Sequence, residues 1–292
     1  MKKLALLATT IALTAAIAAH AQTLPPEQGD WVASKHYLKV NDAVRMAYVE
    51  WGNPSGEPVI LIHGYSDSSR AYSTIARYLD PGKRYIAIDL RGHGNSSAPE
   101  CCYYASDLAE DVSDLITALG YEKAIVVGHS LGSITAGVLA SIHPDQVKKL
   151  VLISSTLKPG PGIDFLYETL HAAQFPLDIN GEFMRMWAPD SSGSDQDMLA
   201  HLRKEEVAMP RRAWLGIVSG LEILDWTKAS RHITAPTLIL WGDKDELMIE
   251  SDQSALRAAL PAARFIRYDG MGHSMYWEDP KRVAGDLNAF FR

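Results

Sequence analysis

Short apolar runs recur along the chain, each closed by glycine or polar residues and most followed by a stretch with helical spacing. The runs are "PVILIHG" (58–64), "RYIAIDLRGHG" (84–94), "AIVVGHS" (124–130), "KKLVLISS" (148–155), "PTLILWG" (236–242) and "ARFIRYDG" (263–270). Their apolar positions do not strictly alternate with polar ones, which predicts strands buried on both faces. Between them, "SRAYSTIARYL" (69–79) places Ala71, Ile75, Ala76 and Leu79 on one helical face. "ASDLAEDVSDLITALG" (105–120) does the same with Leu108, Val112, Leu115 and Ile116, and stops at Gly120. "LGSITAGVLASIHP" (131–144), "QSALRAAL" (253–260) and "PKRVAGDLNAFFR" (280–292) read as further helices. Strand and helix in alternation predict an α/β fold: a mostly parallel central sheet with helices on both faces. "HYLKV" and "MAYVEWG" near the start predict an antiparallel hairpin at one edge.

The alternation breaks once. Residues 157–235 carry several short helical patterns in "GIDFLYETLHAAQF", "NGEFMRMWAP", "DQDMLAHLRKEEVAMP" and "RAWLGIVSGLEILDW", with Trp187, Trp214 and Trp226 among them. This stretch is expected to be a helical lid inserted between two parts of one core, residues 22–156 and 236–292. Its aromatics, with Leu166, Tyr167, Met184 and Met186, fit an apolar pocket or ordinary core packing equally well.

The first 21 residues do not belong to this pattern. They begin with Lys2 and Lys3, continue through the 16 uncharged residues Leu4–Ala19, and end in Ala19-His20-Ala21. A basic start, an apolar middle and small residues at a cleavage point predict a signal peptide removed after Ala21. The apolar stretch is shorter than the roughly 20 residues of a membrane-spanning helix. The expectation is therefore a soluble exported protein, periplasmic or secreted, with no stable membrane anchor. Without Lys2 and Lys3 the 28 basic residues fall to 26 against 35 acidic ones, a formal charge of −9. With no basic run, nucleic acid is not an expected partner.

The chain has two cysteines, Cys101 and Cys102, side by side. Export favours disulfides, but neighbouring Cα atoms lie about 3.8 Å apart, below the usual bridged range. A vicinal bridge and two half-buried thiols are equally compatible with that spacing. No further cysteine completes a zinc site, and no metal or organic cofactor is expected.

The chemistry centres on "AIVVGHSLGSITAG" (124–137). A buried strand, Gly128-His129-Ser130-Leu131-Gly132, then a small-residue helix is the setting in which G-x-S-x-G marks an exposed nucleophile on a forced turn. A serine hydroxyl needs a base, and the base needs an orienting acid. His273, in "DGMGHSMYWEDP" after the last strand, is placed to reach the same sheet edge. His129 is expected to point away. His63 and His93 sit in His-Gly pairs at strand ends, where a backbone role is expected. An acid is sought between serine and histidine in chain order, and "LILWGDKDELM" offers Asp243 and Asp245. The other place for it, after "LVLISS", holds only Ser154, Ser155 and Thr156.

Taken together, "HG" at 63–64, "DLRGHGNS" at 89–96, "GHSLG" at 128–132, "GDKD" at 242–245 and "GHSMYWEDP" at 272–280 resemble a lidded α/β-hydrolase of the esterase, epoxide hydrolase and dehalogenase superfamily. The likeness covers nearly all of residues 40–292. It implies Asp245 as the acid, with Asp243 as the fallback, His273 as the base, and an oxyanion hole made by the backbone N–H groups of Tyr65 and Leu131. Epoxide hydrolases and dehalogenases of this family carry aspartate at the turn. Serine implies acyl transfer instead: hydrolysis of a small-molecule carboxylic ester or lactone. Carbon–carbon bond hydrolases, perhydrolases and ligand sensors with slow turnover share the same triad and stay open.

Overall fold

The computed structural model describes residues 23–160, 162–188 and 193–292. The expected signal peptide lies outside them. Eight strands form one sheet: β1 (His36–Lys39), β2 (Arg45–Gly52), β3 (Pro58–Ile62), β4 (Arg84–Ile88), β5 (Ala124–His129), β6 (Val147–Ile153), β7 (Thr237–Gly242) and β8 (Arg264–Tyr268). Their order is β1-β2-β4-β3-β5-β6-β7-β8. The β1–β2 hairpin is antiparallel and lies at one edge, as its pattern predicted, and β2 also runs antiparallel to β4. All the other pairs are parallel.

The helices are α1 (Ser73–Ala76), α2 (Ala105–Ala118), α3 (Leu131–Ile142), α4 (Ile163–Ala172), α5 (Glu182–Trp187), α6 (Gln196–Ala208), α7 (Arg211–Glu222), α8 (Glu250–Ala259), α9 (Met275–Glu278) and α10 (Pro280–Phe291). None among the described residues is long and apolar enough to cross a membrane. Four of them, α4 to α7, fall in the stretch between β6 and β7 where the sequence pattern breaks.

The central strands are apolar throughout because both faces are covered. Ile60, Ile62, Val126, Leu150 and Leu152 face one core with Val112 and Leu115 of α2 and Ile134 of α3. Val59, Leu61, Ile125, Val127 and Val151 face a second core with Val283, Leu287 and Phe291 of α10. This period of two is the strand's own geometry. Trp214, Ile217 and Val218 of α7 and Leu170 of α4 join the first core, so the inserted helices are packed onto it. Trp226 follows α7. Its indole N–H donates to the Thr156 carbonyl at 2.8 Å, and its ring lies where a Cβ on Gly137 of α3 would come within 2.4 Å.

One predicted helix is shorter than its spacing suggests. Residues 69–79 form a 3-10 turn, Ser69–Tyr72, and then only the single turn α1. The Ser68 side chain accepts from the Arg70 amide, and the Ser69 amide donates to the Asp89 carboxylate at 2.8 Å. These bonds fix the entry as a tight turn, while Ala71, Ile75, Ala76 and Leu79 are all buried as their shared face requires.

Asp89, at the end of β4, organises this region. Its carboxylate also accepts from Lys35 Nζ at 2.7 Å and from the Asn95 amide at 2.8 Å, and both charged side chains are fully buried. Burial pushes the Asp89 carboxyl up, but the Lys35 charge and the Asn95 and Ser69 amides outweigh it and hold it below the usual range. The cysteines are bridged to each other in the loop before α2. That loop is tied down by Arg91, which donates to the Cys102 carbonyl at 2.6 Å and pairs with Asp111 of α2.

Removing one partner of a buried pair leaves the other charge uncompensated, so Lys35→Met should cost roughly 3–5 kcal/mol at neutral pH. A carboxyl depressed in the folded state stabilises above its unfolded pKa, about 3.9, and that stability is lost as pH falls through the folded value. Urea unfolding should therefore show a large Lys35→Met deficit at pH 7 that narrows on acidification as Asp89 takes up a proton.

Candidate active site

The turn from β5 into α3 puts Ser130 at φ 51°, ψ −120°. Such a backbone disfavours a side chain and exposes the one that occupies it. Gly128 and Gly132 make the turn possible. A Cβ on Gly128 would lie 2.0 Å from the Gly132 carbonyl oxygen, and one on Gly132 would lie 2.2 Å and 2.4 Å from the carbonyl oxygens of Ile62 and His63. The second contact seats the turn against the end of β3, so the loop that follows β3 is brought beside the N-terminus of α3. That loop carries Tyr65. Among the hydrogen bonds of the described residues, neither the Tyr65 nor the Leu131 amide has an acceptor. Free N–H groups at the start of a 12-residue helix favour developing negative charge.

Asp245 and His273 meet at the same sheet edge. His273 Nδ1 lies 2.9 Å and 3.0 Å from the two carboxylate oxygens of Asp245. The amides of Leu247 and Met248 donate to Asp245 Oδ1 at 3.0 Å and 2.9 Å. Burial pushes this carboxyl up, and the His273 contact with the two amides more than offsets it, holding Asp245 below the usual carboxylate range. An anionic Asp245 fixes the proton on Nδ1 and leaves Nε2 as the basic nitrogen. Asp243 is elsewhere: it accepts from the Gly270 amide at 2.6 Å and pairs with Arg267 at 2.8 Å, bracing the turn after β8. Of the two acids, only Asp245 meets the histidine.

No hydrogen bond joins Ser130 Oγ to His273 among the described residues; such contacts commonly tighten only when substrate fills a site. What ties the serine turn to the histidine loop is His129. Its Nε2 lies 3.0 Å from the His273 carbonyl oxygen, and the two rings are 4.8 Å apart. His129 is expected to point away from the serine, and among the described residues its ring contacts lie with the His273 loop and Tyr276. His63 meets its expected backbone role, accepting from the Leu90 amide through Nε2 at 3.0 Å and contacting the Gly64 carbonyl through Nδ1 at 2.7 Å. Burial pushes its imidazole down to about 4.

Above the Tyr65 loop sit the inserted helices. The Tyr65 hydroxyl donates to the Trp214 carbonyl at 2.5 Å, and its ring packs 5.0 Å from Trp214 and 5.5 Å from Trp187. The Trp187 indole N–H donates to Ser66 Oγ at 2.8 Å. Glu206 of α6, unnoticed in the sequence, accepts from Ser66 Oγ at 3.3 Å while its Oε2 is buried without a partner among the described residues. Burial pushes this carboxyl up to about 7. Asp67, equally buried, is raised well above its usual value by burial and by the charge of Glu206.

The sequence pattern of the alpha/beta hydrolase fold matches residues 57–280. The chain belongs to the alpha/beta hydrolase family. Among curated relatives of this alpha/beta hydrolase, Lipase 3 of Moraxella sp. (strain TA144) is 29% identical over 256 residues, covering 84% of this chain and 81% of the lipase. The bifunctional esterase/perhydrolase DCH of Acinetobacter calcoaceticus is 30% identical over 277 residues, covering 88% of this chain and 99% of the relative. Among solved structures, the esterase RhEst1 from Rhodococcus sp. ECU1013 shares the fold with a TM-score of 0.77 at 24% identity, covering 88% of this chain and 98% of the esterase. The family and its lipase and esterase relatives make this chain an ester-cleaving hydrolase.

The two candidate acids separate by experiment. Asp245→Asn breaks the carboxylate contact of His273 and should lower ester turnover by about 10²–10⁴-fold. Asp243→Asn should leave turnover within about threefold, because its contacts are with Arg267 of β8 and the turn that follows, away from His273. Kinetics of the two purified variants on one p-nitrophenyl ester checks this.

Proposed function

We propose that this hydrolase is an exported serine enzyme that cleaves a carboxylic ester or lactone through an acyl-enzyme on Ser130. The observation that carries the reading is the pairing of His273 Nδ1 with Asp245 at the sheet edge that also exposes Ser130. In the first step Ser130 Oγ attacks the ester carbonyl carbon while His273 Nε2 takes the hydroxyl proton. The carbonyl oxygen becomes an oxyanion, received by the amides of Tyr65 and Leu131. Collapse breaks the bond to the leaving oxygen, which receives the proton from His273. Water, deprotonated by the same nitrogen, then attacks the acyl-enzyme and releases the acid and free Ser130.

Helices α4 to α7 act as a lid in this reading, since Tyr65, Trp187 and Trp214 join them to the oxyanion loop. A second reading is supported by the relative whose name includes perhydrolase: hydrogen peroxide in place of water would turn the acyl-enzyme into a peracid. Residues 1–21 support export, with mature protein beginning at Gln22.

Ser130→Ala should fold normally and lose p-nitrophenyl ester turnover by about 10⁴-fold or more. A fluorophosphonate should add to Ser130 in the native protein, read by peptide mass spectrometry, and fail to add to the variant. Undiminished turnover in Ser130→Ala overturns the acyl-enzyme.

A further inference from the structure

Two side chains outside the triad converge on one atom, the carbonyl oxygen of His273. His129 Nε2 lies 3.0 Å from it and Ser154 Oγ lies 2.8 Å from it. They come from the ends of adjacent parallel strands. His129 ends β5 opposite Ile153 of β6, and Ser154 follows Ile153 directly. Both ends depart from ordinary backbone: Ser130, next to His129, has φ 51°, and Ser154 has φ 49°. Non-glycine residues keep a left-handed backbone only where surrounding contacts over-determine it. At Ser154 those contacts include its amide bond to Leu240 at 3.0 Å and its hydroxyl bond to His273. Ser154 also occupies the place after β6 that could hold an alternative acid. It supplies a neutral donor there.

His129 is built as a donor too. It is 2% exposed, and burial, with the nearby His273, pushes its imidazole down to about 3. It is therefore neutral, with one N–H. The carbonyl takes that N–H at Nε2, which leaves Nδ1 to accept from the Tyr276 hydroxyl at 3.5 Å. Tyr276 is fully buried and packs 5.3 Å from Tyr72. Among the described residues, the titratable side chains facing the His273 ring are Asp245 from the loop after β7 and His129 from β5.

We infer that His129 and Ser154 are positioning residues that hold the His273 carbonyl, fixing the loop after β8 so that the imidazole keeps Nδ1 on Asp245 and turns Nε2 toward Ser130. The inference rests on the triad reading above. His129 and Ser154 are both buried, so the loss of either acts on the chemical step through His273. A misplacement of about 1 Å at a reacting group can cost about a hundredfold.

The test compares Ser154→Ala, His129→Leu, the double variant and His129→Gln, whose amide restores a donor. Each is assayed on p-nitrophenyl acetate across pH, with thermal unfolding of each protein. The double variant should lose about 30–100-fold in kcat with KM within about twofold. The acid limb of its kcat/KM profile should move to lower pH, because a loosened Asp245 contact stabilises the imidazolium less. His129→Gln should keep most of the native kcat. A double variant with native kcat and an unmoved pH profile overturns the inference while leaving the triad intact. So does a loss that follows thermal stability and is not rescued by glutamine. Full turnover in Ser130→Ala would overturn the triad reading, and the positioning role with it.

Discussion

The site depends on a close approach of backbone to backbone. At the β5–α3 turn the Gly132 Cα lies so near the end of β3 that a methyl group would sit 2.2 Å from the Ile62 carbonyl oxygen. Non-bonded atoms do not come that near, so the position admits only glycine. Because the two segments touch, the amide of Leu131 and the loop bearing Tyr65 share one edge of the sheet. The placement of Ser130, the start of α3 and the seat of helices α5 to α7 all follow from that contact.

A second arrangement lies beneath the Tyr65 loop. The chain buries both Asp67 and Asp89, and α6 brings Glu205 and Glu206 near Asp67. The four carboxyls are not treated alike. Asp89 is paired with Lys35 and Glu205 with Arg70, whereas burial raises Asp67 and Glu206. At Asp89 the Lys35 charge and the bonds to the carboxylate outweigh burial, whereas at Glu206 burial outweighs the nearby Arg203 charge. The loop below the inserted helices is held to α6 by both kinds of contact, a bond from Ser68 to Glu205 and one from Ser66 to Glu206.

Much of the fold was legible because it follows from local rules. Strands covered on both faces must be apolar throughout, so β3 to β7 stood out as runs. The serine turn was legible because its steric demand writes two glycines at fixed spacing. The helix expected over 69–79 was misjudged because its start is set by Asp89, 20 residues away from Ser69, and spacing carries no sign of such a bond. The same reason hid His129, Ser154 and Glu206. Each acts through a partner distant in sequence: 144 residues for His129, 119 for Ser154 and 140 for Glu206. The choice between Asp243 and Asp245 was left to family likeness, since two aspartates two residues apart satisfy the same chain order. The structure shows what distinguishes them, a buried place beside the histidine against a half-buried place bracing β8 and the turn after it.

The bridged cysteines have a consequence for how the chain matures. Two cysteines admit one intramolecular pairing, and these two are neighbours, so the bond encloses no length of chain. It can close as soon as both residues are available to an oxidant, whatever the rest of the polypeptide is doing. There is no competing connectivity to unscramble and therefore nothing for a disulfide isomerase to correct. Once the bond has formed, the chain carries no free thiol. A single cysteine engineered onto α7 would then be the sole target for a thiol-directed label, giving a direct way to watch that helix move.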